Sequence, residues 1–254
     1  MSRRRWGVLM VLGVVGLTGC GGRPVDRFTL EVDLPAEFEL KTAANYLPAT
    51  GETCTLPRRR GKRPERKVFF TDFNAAASRV SYELPLSEKI EGCPSVLRSL
   101  EFEFYAKWGK RDTDVGGSFA AFSIRDPSDA DVRGMPETGV QELHKQCQWL
   151  FRTAGPQHVI VKVLKCSSSG AAVPLSRPVQ RDQLPGKTLR MVLTMTDKEE
   201  PYFDNNWIIV PGGWKRCRGK DFEDLDAFCN GNTTDFKPIK MPDGRICDVY
   251  PSCK

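Results

Sequence analysis

Histidine is nearly missing from this chain, with His144 and His158 the only two in 254 residues. That scarcity removes most of the metal and acid–base chemistry that depends on imidazole. No Cys-x-x-Cys pair opens a structural zinc site, no His-Glu-x-x-His could hold a catalytic zinc, and no Gly-x-Ser-x-Gly elbow presents a nucleophile. A phosphate-cradling Gly-x-x-x-x-Gly-Lys-Ser/Thr and a dinucleotide fingerprint are also missing. No cofactor, metal site or catalytic group is therefore expected. After Cys20 no apolar run approaches the roughly 18 residues that would signal a transmembrane helix. No repeat at a fixed period occurs either.

What the chain does contain begins with its first twenty residues. Arg3, Arg4 and Arg5 precede an uncharged run from Trp6 to Gly19, and small residues then lead into Cys20. This is the order of a secretory signal: a basic region, an apolar region and a small-residue cleavage site. At 14 residues the run falls short of the ~20 needed to span a bilayer, so 1–19 is expected to be removed. Leu17-Thr18-Gly19-Cys20 resembles the bacterial lipobox, which implies a diacylglycerol on the Cys20 thiol and acylation of the new amine. Two or three acyl chains at ~0.8 kcal/mol per buried methylene would hold the protein on a membrane. Gly21, Gly22, Arg23 and Pro24 follow without the aspartate that retains many such lipoproteins in the inner membrane. The expected location is therefore the periplasmic side of a bacterial membrane, more in keeping with the outer one, with 20–27 as a lipidated tether.

The remaining cysteines are Cys54, Cys93, Cys147, Cys166, Cys217, Cys229, Cys247 and Cys253. Their number is even and the periplasm permits disulfides, so four bridges are expected. The formal charge of +6 includes the three leader arginines, and without them 35 basic residues face 32 acidic ones. A balance of +3 is not a general nucleic-acid-binding surface, and no nucleic-acid partner is expected. The charge is unevenly spread, however. Arg58, Arg59, Arg60, Lys62, Arg63, Arg66 and Lys67 are opposed locally only by Glu65. Such a run stays a solvated loop, and it is the candidate partner-binding segment.

Period-two alternation dominates the rest. Phe28–Leu34 alternates apolar and polar residues, and Leu100, Phe102, Phe104, Ala106 and Trp108 share one side of a nine-residue strand. Lys67–Phe73, Arg79–Leu86, Ser118–Ile124, Thr188–Thr196 and Trp207–Val210 are further strands, with Phe38–Leu40 a partner for the first. Asp114-Val115-Gly116-Gly117 supplies turn chemistry for a hairpin returning on Ser118–Ile124. Pro211-Gly212-Gly213 is expected to end a hairpin built on Thr188–Thr196 and Trp207–Val210. Gln141–Thr153 and His158–Cys166 flank Ala154-Gly155-Pro156-Gln157, and the register set by that turn places Cys147 opposite Cys166 and Trp149 opposite Leu164. Nearness in sequence suggests Cys54–Cys93, Cys217–Cys229 and Cys247–Cys253 for the others. The fold class is all-β or mainly β, with antiparallel sandwich-like sheets stabilised by disulfides. It divides into a β-rich 28–170 and a cysteine-rich 171–254, as two subdomains or one.

The titratable clusters read as structural. His144 and His158 lie in the strands of one hairpin, opposite positions 169 and 155, so they do not meet and are expected at surface or hydrogen-bonded core positions. Asp126, Asp129 and Asp131 could offer oxygen to calcium, but their spacing lacks the EF-hand pattern. Asp224, Asp226 and Asn230 fail similarly, because Phe228 and Cys229 occupy ligand and glycine positions. Glu101 and Glu103 share a solvated strand face.

A lipobox, a disulfide-paired β body of this size and missing catalytic motifs together resemble the lipoprotein immunity proteins that guard bacteria against phospholipase effectors of the type VI secretion system, particularly the phospholipase D-like class. The resemblance is one of layout. It implies a non-enzymatic protein that binds an incoming lipase and covers its substrate entrance or membrane-facing surface. A structural or assembly lipoprotein of the envelope would share the layout, and a periplasmic hydrolase is the third class. The lipobox makes a direct prediction: Cys20→Ser should abolish lipid labelling and release the protein from the membrane fraction, whereas unlabelled, membrane-bound wild type would refute it.

Overall fold

The computed structural model describes residues 26–56, 66–126, 134–169, 178–219, 229 and 235–253. Cys20, the Arg58–Arg63 stretch, Asp129, Asp131, Asp224, Asp226 and Asn230 lie outside the described residues. Strands carry nearly all the regular structure. The described helix is limited to single 3₁₀ turns at Arg181–Gln183 and Asp204–Asn206.

The first sheet is built from β1 (Arg27–Leu34), β4 (Ser78–Pro85), β8 (Val140–Ala154), β9 (Val159–Ser168), β11 (Thr188–Met195), β12 (Glu200–Pro201), β16 (Ile239–Lys240) and β17 (Ile246–Cys247). The second holds β2 (Phe38–Pro48), β3 (Arg66–Phe70), β5 (Ser87–Ile90), β6 (Cys93–Lys107), β7 (Val115–Arg125) and β10 (Val179–Gln180). A third, smaller sheet joins β13 (Trp207–Val210), β14 (Gly213–Cys217), β15 (Phe236–Lys237) and β18 (Tyr250–Pro251).

Alternation explains the first two. Phe28, Leu30, Val32 and Leu34 of β1 are buried while Thr29, Glu31 and Asp33 point outward. On β6, Leu100, Phe102, Phe104 and Ala106 are buried, and β7 returns antiparallel with Phe122 opposite Leu100 and Ala120 opposite Phe102. The two inner faces form one continuous core, as in a sandwich. Two contacts fix the layers to each other. The buried Tyr46 hydroxyl on β2 donates to the Pro85 carbonyl at 2.8 Å, and Gly116 lets β7 approach β9. A Cβ at Gly116 would lie 2.5 Å from the Trp149 ring and 2.9 Å from the Leu164 backbone nitrogen.

The sheets are mixed, which corrects the expectation of purely antiparallel pairing. β11 lies between β1 and β8 and runs parallel to both. Parallel neighbours need a long crossover, and the chain between β9 and β11 supplies it. On the way it lays β10 parallel along β7, and Arg181 donates to the Leu97 carbonyl at 3.2 Å. The expected partnership of Thr188–Thr196 with Trp207–Val210 is also corrected. The turn at Pro211-Gly212 joins β13 to β14, and a Cβ at Gly213 would fall 1.9 Å from the Tyr250 carbonyl oxygen. Only glycine allows β18 to close there.

β2 runs to Pro48, far beyond Leu40, because β6 and β3 pair with it on both edges. The β8/β9 hairpin has Cys147 opposite Cys166 and Trp149 opposite Leu164. Its turn is Gly155–His158, so His158 belongs to the turn and not to the strand. Beyond Trp149 the hairpin leaves the sandwich core and enters a second cluster of Phe151, Ile160, Trp207, Ile239 and Tyr250. Phe151 is the hub, edge-on to Trp207 at 4.9 Å and tilted against Tyr250 at 4.5 Å. This cluster and the bridges Cys217–Cys229 and Cys247–Cys253 hold the C-terminal strands.

The bridge Cys147–Cys166 closes a separation of 19 residues and Cys54–Cys93 one of 39. In the chain-entropy account a loop near the smaller size stabilises by ~3 kcal/mol. Replacing both Cys147 and Cys166 with alanine should lower the unfolding free energy by about that amount, read from urea unfolding curves extrapolated to water with each protein's own slope. Removing Cys247–Cys253, with a separation of 6, should cost less.

Candidate functional site

Where the two cores meet, the surface opens into a cleft of two adjoining hollows, about 620 and 500 Å³. One wall is the turn between β6 and β7. Trp108 continues the inward-facing side of β6 past the strand's end, and its backbone N–H donates to the Asp114 carbonyl at 2.9 Å. The buried Asp114 carboxylate accepts from the Arg111 backbone N–H at 3.0 Å and from its guanidinium Nε at 2.8 Å. The Arg111 bond pulls its pKa below the ordinary carboxylate range, against the opposing effect of burial. Gly109 is required here, since a Cβ would stand 2.3 Å from an Asp114 carboxylate oxygen.

The opposite wall comes from the hairpin and the third sheet. Trp149 of β8 lines the first hollow, and Lys162 of β9 reaches across both. The Lys162 Nζ lies 5.9 Å from the Trp108 ring centroid and 6.0 Å from that of Tyr250, within cation–π range. Glu199 accepts from Lys162 and from the Tyr250 hydroxyl. Burial and then that bond to Glu199 push the Tyr250 pKa upward, so it remains a donor. Lys107, Lys110 and Arg111 supply further positive charge along the rim, with Glu37, Asp112 and Asp243 as counterweights. Aromatic faces and fixed charges so placed suit the gripping of a polypeptide or another polar chain. Aromatic and arginine side chains are the groups enriched in protein interfaces.

The cleft residues come from separated stretches, and no short motif unites them. Alternation puts Trp108 on the inward side of its strand and Glu199 falls between two strands, and neither position alone indicates convergence. The informative signal is Lys162: the hairpin register puts it on the same face as Cys147, Trp149 and Phe151, where a charge needs a reason.

The other candidates are placed as follows. Cys54–Cys93, Cys147–Cys166, Cys217–Cys229 and Cys247–Cys253 are bridged. Arg66 and Lys67, at the end of the basic run, pair with Glu101 at 3.0 Å and with Glu88 at 2.5 Å. Glu103 accepts from Lys41 at 2.7 Å and from Tyr105 at 2.8 Å, so Glu101 and Glu103 form part of a charged strand face. Asp126 is held by Arg98 at 2.9 Å, by Arg181 and by the Thr50 hydroxyl at 2.9 Å. Burial would raise its pKa, and those three partners reverse the effect and hold it low. It works as the anchor of the crossover. His144 is exposed beside Glu142 at 3.2 Å. His158 takes a core position, 5 % exposed, and departs from expectation in that neither ring nitrogen has a hydrogen-bond partner among the described residues.

Comparison of the chain with protein-family models, curated proteins and solved structures gives no match.

The buried His158 gives a pH prediction. Burial, then the charges of Arg216 and Lys237, lower its pKa to about 4, whereas an unfolded histidine titrates near ~6.5. Between those values the unfolded chain binds more protons, so stability falls as pH drops through that window and the loss is complete below the folded value. At ~1.4 kcal/mol per unit the contribution is on the order of 3 kcal/mol. Urea midpoints between about pH 6.5 and 5, above the carboxylate range, should fall in wild type and stay nearly flat in His158→Asn.

Proposed function

We propose that this chain is a membrane-tethered envelope protein that binds and neutralises a secreted lipase of the phospholipase class. Four disulfides point to an oxidising compartment outside the cytoplasm. The lipobox-like Leu17–Cys20 supplies the tether, and the toxin class follows from the resemblance in layout. The observation that carries a binding role is the cleft. Trp108 and Trp149 flank a Lys162–Glu199–Tyr250 cluster whose charges are already paired. Docking would then order few new side chains, and such preorganisation raises affinity. Inhibition would come from inserting a loop of the enzyme between these aromatic walls, so covering its substrate entrance.

Envelope assembly is the second reading, and one observation favours it. Among the described residues β13 is the outermost strand of the third sheet, its Ile209 is 70 % exposed, and Tyr202 and Phe203 meet edge to face near its start. An apolar edge of this kind can accept a strand from a neighbour.

Affinity purification of the tethered protein distinguishes the two, by recovering either a secreted lipase or components of an envelope machine. With the lipase in hand, Arg58→Ser, Arg59→Ser and Arg60→Ser together should slow association severalfold at low salt, and the difference should shrink as salt rises. Trp108→Ala should instead speed dissociation, by tenfold or more if the ring is a central anchor. If no secreted lipase binds at micromolar concentration, the immunity assignment falls and envelope assembly takes its place.

A further inference from the structure

The first sheet ends on β4, and among the described residues no strand pairs with its outer edge. With eight residues β4 is much longer than β17, the two-residue strand at the other end of that sheet. Its neighbours fix the direction of its backbone groups. The Leu86 N–H bonds the Asp26 carbonyl at 3.0 Å, in the register that pairs β4 with β1, whereas the Thr29 N–H turns to the Lys187 carbonyl on the β11 side at 2.9 Å. Even-numbered residues of β4 therefore complete the ladder with β1, and the main-chain groups of Arg79, Ser81 and Glu83 point away from the sheet.

The side chains along this edge also look unfinished. On the inner face Val80 and Tyr82 are only partly buried, although Val32 and Leu30 directly opposite them are buried completely. Tyr82 packs on Phe69 of β3, with ring centroids 4.8 Å apart, and both β4 side chains still leave apolar surface at the open edge. On the outer face Arg79, Ser81 and Glu83 are exposed. Arg79 is steadied by Asp33 through two of its nitrogens. Glu83 accepts from the Thr29 hydroxyl and, among the described residues, pairs with no cation.

We propose that β4 is the interface with a second copy of this chain, the two strands pairing antiparallel about a two-fold axis at Ser81. In that register the outward-pointing groups of Arg79, Ser81 and Glu83 bond their counterparts, Arg79 of each copy stands opposite Glu83 of the other, and Val80 covers Tyr82 on the inner face. The charges select this register. Centring the pair on residue 79 or residue 83 sets like charges face to face, centring it on Val80 leaves both charges unopposed, and centring it on Tyr82 brings Pro85, which has no N–H, opposite Arg79. Charged side chains ordinarily keep an edge strand from pairing, and here they admit one arrangement. One strand pair is smaller than the ~1,200 Å² that stable dimers bury, so micromolar or weaker association is expected.

The test is equilibrium sedimentation of the purified Cys20→Ser chain, which cannot be acylated at that position, from micromolar to millimolar concentration. A reversible monomer–dimer equilibrium is expected. Ser81→Pro removes the central outward donor and leaves the ladder with β1 intact, a substitution that edge strands accept. It should weaken dimerisation at least tenfold at an unchanged melting temperature. Glu83→Arg should do the same by setting two arginines against each other, and Arg79→Glu combined with Glu83→Arg in one chain should restore most of the lost affinity. If Ser81→Pro unfolds the protein, the charge reversals decide alone. The proposal is overturned if the parent chain stays monomeric at millimolar concentration, if folded Ser81→Pro dimerises as tightly as the parent, or if the double reversal associates no more tightly than Glu83→Arg. None of these measurements involves a lipase, so their outcome is independent of the proposed binding role of the cleft.

Discussion

The register of the β8/β9 hairpin is the constraint on which the rest of this molecule depends. One face of that hairpin carries in succession Cys147 with Cys166, Trp149 with Leu164, Phe151 with Lys162, and Thr153 with Ile160. The first pair sits in the sandwich core and Phe151 and Ile160 sit in the second cluster, so a single strand pair belongs to two hydrophobic bodies. A slip of one residue would turn this whole face to solvent. The bridge is placed to forbid that slip, because it ties the two strands within the core.

Neighbouring elements take their positions from this pair. β11 finds β8 on one side and β1 on the other, and β16 joins β9 beyond the turn. Gly116 lets β7 lie against β9, which brings the second sheet into contact with the first. Ion pairs cover the outer faces, as where Arg190 meets Glu31 at 2.7 Å and Glu142 at 3.1 Å. Exposed pairs of this kind contribute ~0 to 1 kcal/mol each, against ~1.5 to 3 for each large apolar side chain taken out of water. Burial on the inner faces therefore sets the fold, and the ion pairs of the outer faces add little to it.

Much of this was legible because β structure writes itself in period two. Phe28–Leu34 and Leu100–Ala106 show it without interruption, and both lie where alternation puts them. The hairpin register was readable from its turn and its two cysteines. What stayed hidden was non-local. Nothing in Thr188–Met195 says that it will run parallel between β1 and β8, because parallel neighbours are chosen by crossover and packing and not by local pattern. The same limit hid the third sheet, whose pairing of Val210 with Gly213 turns on the Tyr250 carbonyl approaching a residue without a Cβ. It hid the cleft as well, which assembles Trp108, Trp149, Lys162, Glu199 and Tyr250 from distant positions. The turn placement of His158 was hidden too, because alternation alone makes it the first residue of a strand and nothing local marks its left-handed backbone.

Lys162 shows how the two-core arrangement leads to a site. A cation on an inward-facing position would be costly inside either hydrophobic body, so it can stand only at their seam, where water still reaches. At the seam it needs a partner and finds Glu199, which Tyr250 also holds. Tyr250 packs on Phe151, and Phe151 lies directly across the strand pair from Lys162. The charged cluster is thus fixed by the same aromatic contacts that secure the C-terminal strands. Loosening the second core would move the cation and the carboxylate together, so the geometry of the cleft and the docking of the C-terminal sheet are a single property of the fold.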